Sequence, residues 1–263
     1  MPIDSGVRVF AVTEQIDETP TIRTVRLDGS MHAQPGQFVM VWVPGRDEFP
    51  MSVSYPGERF GITYKVVGEG TRHLSVMKPG EKIGVRGPYG KGYSIEGESI
   101  LVVAGGTGMA ALAPMVEQAV ASSTSVDVVL GARTQSELLF RTRCERPGAA
   151  VHITTDDGSD GSKGFATDKA KELLEAGDHD MIYACGPERM IVGLLELSRT
   201  TGVPMQASLE RYMKCGIGVC DSCAIDGKHV CVDGPVFSHE VLSTLSDLGR
   251  TRLSPSGGRI PID

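Results

Sequence analysis

The sequence has no apolar stretch long enough to cross a bilayer. Its most hydrophobic run, Ile100–Ala104, falls far short of the roughly 20 residues a membrane helix needs. It also lacks a long basic run, and 26 Lys and Arg against 33 Asp and Glu leave a net charge of −7. Nucleic acid and anionic membrane surfaces are therefore poor candidates as partners. The opening residues, Met1–Phe10, show no basic segment followed by an apolar one, which predicts no signal peptide. Internal repeats and low-complexity segments are missing too. Cysteines are few, and four of the six crowd into one short segment. A disulfide framework belongs to small secreted chains, so thiolates held by metal in a reducing cytoplasm fit better.

What is present divides the 263 residues into three parts. Hydrophobic residues make up 40%, enough for real cores, and 33 glycines with 15 prolines supply many turns. Val7–Val12, Ile22–Leu27, Phe38–Val43, Met51–Ser54 and Phe60–Val67 are short, β-branched or aromatic, and mostly alternating. Pro-Gly and Asp-Gly pairs separate them, which predicts a closed antiparallel β-barrel. A short helix is expected over Gly70–Met77. Near residue 98 the pattern changes. Continuous apolar runs at 100–104, 126–130, 151–155 and 181–184 alternate with helical stretches at 109–122 and 188–200. That order predicts a doubly wound α/β unit around a parallel sheet. The expected domains are 1–97, 98–204, and a cysteine-bearing segment with its tail over 205–263. The tail carries a weak helix, His239–Leu248, and then a Ser/Gly/Pro-rich end expected to be mobile.

The cysteines Cys215, Cys220, Cys223 and Cys231 form a C-x4-C-x2-C-x7-C array. The first three match the spacing that opens plant-type ferredoxin ligand runs and holds a 2Fe-2S cluster. Gly216, Gly218, Val219 and Ser222 would let the backbone fold tightly and point N–H groups at sulfur. A closed zinc site, stabilising a module without catalysis, is the main alternative, and disulfides are the other. Cys144 and Cys185 lie outside the array and read as small buried hydrophobes.

Two loops end strands of the α/β unit. Gly105-Gly106-Thr107-Gly108 follows the first buried strand and opens a helix, where a pyrophosphate could approach the backbone. Cys185-Gly186-Pro187 holds the same place after the fourth strand. Ligands of open α/β sheets bind at that edge, so the two loops together predict a nucleotide site. Either could instead be a tight turn without ligand. Asp156-Asp157-Gly158 could meet a ribose there or simply form a turn. In the barrel, Phe49-Pro50-Met51-Ser52 and Gly68-Glu69-Gly70-Thr71 stand out, with Thr71 expected to N-cap the helix that follows.

A barrel followed by a nucleotide unit with Gly-Gly-x-Gly and Cys-Gly-Pro resembles the ferredoxin-NADP reductase superfamily. Leu209–Cys223 and Val230–Phe237 narrow this. They are similar to the cluster segment of the electron-transfer subunits of type B dihydroorotate dehydrogenase, in its compact archaeal form. The resemblance covers residues 5–240. It implies FAD in the barrel, with Phe49, Pro50, Met51, Ser52, Thr63, Tyr64, Lys65, Gly70 and Thr71 along the cofactor and Ser52 near the reactive flavin nitrogen. It implies NAD at Gly105–Gly108 and Cys185–Pro187, and a 2Fe-2S cluster on the four cysteines. It further implies a partner subunit that carries FMN and oxidises dihydroorotate, the two assembling as a heterotetramer. No residue set here reads as a general base for dihydroorotate, which agrees with a substrate site on the partner. The chain departs from the family pattern at Phe49, where an arginine usually contacts the FAD phosphates. Arg46, Arg72 or Arg86 would have to substitute, or FMN would replace FAD. Related subunits of NADH-dependent ferredoxin:NADP oxidoreductases and sulfide dehydrogenases share the Cys-Val-x-Gly-Pro-x-Phe ending and form the rival reading. The nearly uncharged cluster loop of Gly216, Ile217, Gly218 and Val219 is the expected docking surface, with Ile217 expected at its contact.

Overall fold

A computed structural model describes residues 6–262. Six strands, β1 (Arg8–Asp17), β2 (Ile22–Leu27), β4 (Phe38–Val43), β5 (Asp47–Tyr55), β7 (Gly61–Lys65) and β8 (Lys82–Tyr89), close an antiparallel barrel in the order β1-β2-β7-β5-β4-β8. Two short strands, β3 (Ser30–Met31) and β6 (Gly57–Glu58), form a side ribbon. Alternation drives the closure: Val25, Val41, Ile62, Tyr64, Ile83 and Val85 point inward and are almost wholly buried. Strand β8 escapes the sequence pattern, because Gly84, Gly87 and Pro88 dilute its apolar positions to Ile83 and Val85. The helix expected at 70–77 is α1 (Glu69–Ser75). Thr71 is not its N-cap; that position is Gly68. The Thr71 hydroxyl instead sits inside the first turn, accepting from the N–H groups of Val67 and Gly68 at 3.0 Å each.

The second unit is built on strands β9 (Ser99–Gly105), β10 (Ser125–Ala132), β11 (Ala149–Thr155), β12 (Ser162–Lys163), β13 (Met181–Cys185), β14 (Met205–Ser208) and β17 (Val236–Ser238). They lie in the order β12-β11-β10-β9-β13-β14-β17, parallel except for β17. Both faces are covered. Ile100, Val102 and Ala104 meet α2 (Met109–Ala121), next to which lies α3 (Arg141–Cys144). Leu101 and Val103 meet α4 (Ala166–Ala176) and α5 (Glu188–Thr201). Double burial is why these strands read as unbroken apolar runs. The sequence pattern does not reveal α4, a mostly polar helix that buries only Ala166, Ala170 and Leu174, one per turn.

Helix α2 also lies against β5 and so joins the two units. At that junction the Tyr55 ring is held between two guanidiniums, Arg26 at 4.2 Å and Arg143 at 3.9 Å. Each such contact contributes about 0.5–2 kcal/mol. The C-terminal part holds a two-residue ladder, β15 (Ala224–Ile225) with β16 (Lys228–His229), then α6 (His239–Thr244). Helix α6 ends earlier than expected. The Ser/Gly/Pro-rich end is a hairpin of β18 (Thr251–Leu253) and β19 (Arg259–Pro261), with Arg259 paired to Asp247 at 2.7 Å.

Candidate functional site

The sheet order reverses beside β9, since β10 lies on one side of it and β13 on the other. The loops after β9 and β13 therefore flank a topological switch point, the usual ligand crevice of such sheets. They touch each other through glycine backbone. A Cβ on Gly105 would stand 2.6 Å from Pro187 Cδ, and one on Gly186 would stand 2.9 Å from Gly105 Cα. Gly108 packs in the same way against the Cys185 backbone. Gly106 differs: it has a φ of +53° and nothing within 4 Å of where its Cβ would lie. Three of these four glycines weld the loops together, and Gly106 alone faces free space. Asp157 is spent on a turn, accepting from the Ser159 backbone and hydroxyl at 2.9 and 2.6 Å.

The turn Gly106–Gly108 lies against β7 of the barrel, the strand that carries Thr63, Tyr64 and Lys65. Their side chains are unequally free. The Thr63 hydroxyl is buried between those of Thr24 and Ser54, at 2.7 Å from each. Tyr64 fills the barrel interior, where burial raises its phenol above the ordinary range. Neighbouring β5 carries Phe49, Pro50, Met51 and Ser52, with Ser52 opposite Phe38 on β4. Phe49 lies over the helix: a Cβ on Gly70 would stand 2.5 Å from its ring. Of the arginines that could stand in at this position, Arg86 is already committed. Its guanidinium clasps both oxygens of Glu48 at 2.7 Å each. Arg46, beside α1, and Arg72, within it, are exposed; Arg46 pairs with Glu69 at 3.1 Å and donates to His73 Nε2 at 3.3 Å, and Arg72 donates to the Val67 carbonyl at 3.2 Å.

The four clustered cysteines come together as two pairs. Cys220 lies beside Cys215, and Cys223 beside Cys231. A 2Fe-2S cluster asks for two cysteines on each of two irons. The backbone already turns toward sulfur. Ile217 and Val219 N–H groups donate to Cys215 Sγ at 3.4 Å each, and Gly218 N–H donates to Cys231 Sγ at 3.2 Å. Gly216 and Gly218, with φ of +74° and +75°, supply the left-handed turns this aim requires.

Thiol acidity separates Cys220 and Cys223 from Cys144 and Cys185. Burial opposes ionisation of Cys220, but hydrogen bonds from Ser222 and with Cys215 bring it down to about 7. The hydrogen bond with Cys231 holds Cys223 down to about 6, while Cys231 is raised in return. Burial pushes Cys144 and Cys185 up to about 12.

The segment is fastened to both units. Arg211 is buried and grips Glu188, the first residue of α5, through contacts of 2.5 and 2.9 Å. Toward the barrel, Arg86 Nη1 donates to the Cys215 carbonyl at 3.2 Å. The Lys91 N–H donates to the Gly234 carbonyl at 2.5 Å, a backbone bond that lays the end of the cysteine segment along the chain leaving β8. Sequence reasoning missed Arg211 and Glu188 as fasteners. It had no spacing signal for Arg86 with Cys215, which lie 129 residues apart.

Comparison with known proteins adds to this geometry. Residues 210–243 match the model of the iron-sulfur cluster binding domain of dihydroorotate dehydrogenase B, and residues 102–195 match an oxidoreductase NAD-binding domain. The chain is 45% identical to the probable dihydroorotate dehydrogenase B (NAD(+)) electron transfer subunit of Methanocella arvoryzae, over 94% of this chain and 96% of that one. It is 41% identical to the counterpart from Methanocaldococcus jannaschii, over 96% and 97%. Among solved structures, a chain of an NADH-dependent reduced ferredoxin-NADP oxidoreductase superposes with a TM-score of 0.80 at 31% identity, over 89% of this chain and 90% of that one. The Amycolatopsis cytochrome P450 reductase GcoB, at 24% identity and a TM-score of 0.65 over 73% and 66%, shares the fold.

Proposed function

The chain belongs to the electron-transfer subunits of dihydroorotate dehydrogenase B, and from that membership we propose that it relays electrons from an FMN-bearing catalytic partner to NAD+. Cys215, Cys220, Cys223 and Cys231 would hold a 2Fe-2S cluster, the barrel FAD, and the two glycine loops the nicotinamide nucleotide. When bound, these groups supply the exchange between single electrons and the hydride that nicotinamide accepts. The observation that carries the reading is the pairing of the four cysteines two by two, with backbone N–H groups aimed at their sulfurs.

The residues then have distinct tasks. Gly106 leaves room for a pyrophosphate, while Gly105, Gly108 and Gly186 hold the two loops at the distance that forms the crevice. Ser52, Lys65 and the backbone of β5 and β7 would orient the flavin. Thr63 and Tyr64 act through their strand, because their side chains face buried partners. Arg46 and Arg72 are the cations left to meet flavin phosphates, with free space above Gly68 beside them. This arrangement supports FAD without the arginine that Phe49 replaces.

The partner would dock on the cysteine loop, in a heterotetramer of two copies of each subunit. Within that loop Ile217 is half-buried and packs against the core, whereas Val219 is 77% exposed, beside the exposed Cys220. No helix among the described residues is long and apolar enough to cross a membrane. We place the complex in the cytoplasm, where thiolates persist.

The test is a visible spectrum of the purified chain with metal and sulfide analysis. The reading expects flavin and cluster absorption, with about two irons and two sulfides per chain. One zinc and no cluster absorption would replace it with a structural metal site. The 31% identity to the NADH-dependent ferredoxin-NADP oxidoreductase chain favours a second reading, a flavin subunit of that kind of complex. A neighbouring gene for a dihydroorotate-binding barrel supports the first reading. One for a large glutamate-synthase-like flavoprotein supports the second.

A further inference from the structure

Arg86 stands where the barrel wall, the β5 strand and the cysteine loop meet, and its side chain is only 13% exposed. Nε and Nη2 donate to the two Glu48 oxygens at 2.7 Å each, and Nη1 donates to the Cys215 carbonyl at 3.2 Å. Glu48 directly precedes the Phe49–Ser52 segment. Across the barrel wall, Pro50 pairs with Met40, and Met40 pairs with Arg86. The loop rests on that same Met40: a Cβ on Gly216 would stand 3.0 Å from Met40 Cγ and 3.3 Å from Tyr89 Cδ2. One guanidinium thus links the strand assigned to flavin with the first residue of the cysteine array.

We propose that Arg86 is a positioning residue for electron transfer, holding Cys215 against the β5 strand and, with Glu48, setting the electrostatic bias on cluster reduction. The proposal rests on Cys215 being a cluster ligand. Its physical basis is charge and geometry. A guanidinium is always protonated and its planar fork fits a carboxylate in two-point fashion. Reducing a cluster adds negative charge, which a nearby cation favours and a nearby anion opposes. Arg86 and Glu48 balance each other while both are present. Removing either one exposes the other's charge to the cluster.

The test uses the purified chain with its cluster and flavin, in four forms besides wild type: Arg86→Gln, Glu48→Gln, the double variant, and Arg86→Lys. The readouts are an EPR-monitored redox titration of the cluster and the rate of iron release to a chelator. Arg86→Gln should lower the equilibrium constant for cluster reduction by about threefold to tenfold, and Glu48→Gln should raise it by a similar factor. The double variant should fall between them. Arg86→Lys keeps the charge and loses the fork, so it should stay within about twofold of wild type in that constant and yet release iron faster. Shifts of the same sign in Arg86→Gln and Glu48→Gln would overturn the proposal. If Arg86→Gln fails to hold a cluster, Glu48→Gln still decides, because an unchanged constant there overturns it. A wild-type chain without a cluster would fail the site assignment itself, which the same spectra report separately.

Discussion

Gly108 lies so close to Cys185 that a Cβ built on it would stand 2.1 Å from the Cys185 carbonyl oxygen. The two residues belong to the loops that end β9 and β13, and no side chain can enter between them. This contact distinguishes glycines that assemble the crevice from the one that faces it.

The distinction gives a first prediction. Gly108→Ala should destabilise the chain by roughly 3 kcal/mol, because the clash is with backbone that cannot turn aside. Gly106→Val meets no atom within 4 Å but sits at a φ of +53°, so its strain should cost about 1–2 kcal/mol. It should nevertheless weaken NADH binding at least about tenfold by blocking close approach of the pyrophosphate. Thermal unfolding and NADH titration of the flavin absorbance measure the two effects. Unchanged NADH affinity in Gly106→Val would move the nucleotide elsewhere.

A second prediction concerns which cysteines hold iron. Cys220→Ser should remove the cluster's visible absorption and leave the flavin bands. Cys144→Ser should leave both, since Cys144 is the buried last residue of α3 and far from the array in the chain. Equal bleaching by the two substitutions would refute the assignment.

Thiol chemistry offers a third. In cluster-free chain at a pH of about 7.5, iodoacetamide should label Cys220 first. Cys220 is exposed and lowered to about 7, so a large share is thiolate. Cys144 and Cys185, raised to about 12 by burial, stay protonated and should remain unlabelled until the chain unfolds. Lowering the pH to about 6 should slow labelling at Cys220, because its thiolate fraction shrinks below its pKa. Peptide mass spectrometry reads all three sites.

The partner surface gives a fourth. Val219→Glu places a charge on the exposed residue beside Cys220, where docking would desolvate it. Co-purification with the FMN subunit and dihydroorotate-to-NAD+ transfer should both fall, while NADH oxidation by an artificial acceptor taking electrons from the flavin survives. Ile217→Glu should behave differently. Its side chain packs against the core, so that variant should lose thermal stability before it loses the partner. Full coupled activity in Val219→Glu would remove this loop from the interface.

Much of the architecture was legible because the patterns are local. Ile100–Ala104 announced a doubly buried strand, and the spacing at Cys215–Cys231 favoured an iron–sulfur cluster over zinc, a reading the family match to residues 210–243 supports. Strand β8 and helix α4 escaped because so few of their residues are apolar: Ile83 and Val85 in one, Leu173 and Leu174 among the larger side chains of the other. Thr71 read as a cap and sits inside the first turn, since its hydroxyl reaches back to Val67 and Gly68. Ile217 and Val219 look alike in sequence, and only the turns at Gly216 and Gly218 decide which of them faces inward. The bond from Arg86 to Cys215 joins residues whose separation no motif records.

If one chain passes electrons between a nicotinamide nucleotide and an iron–sulfur cluster on Cys215, Cys220, Cys223 and Cys231, NADH alone must reduce that cluster. Anaerobic addition of NADH to the purified chain, followed by low-temperature EPR with spin counting, tests it directly. The account predicts a 2Fe-2S signal approaching about one spin per chain, lost in Cys220→Ser. A chain that oxidises NADH through its flavin and gives no such signal at any NADH concentration would contradict it.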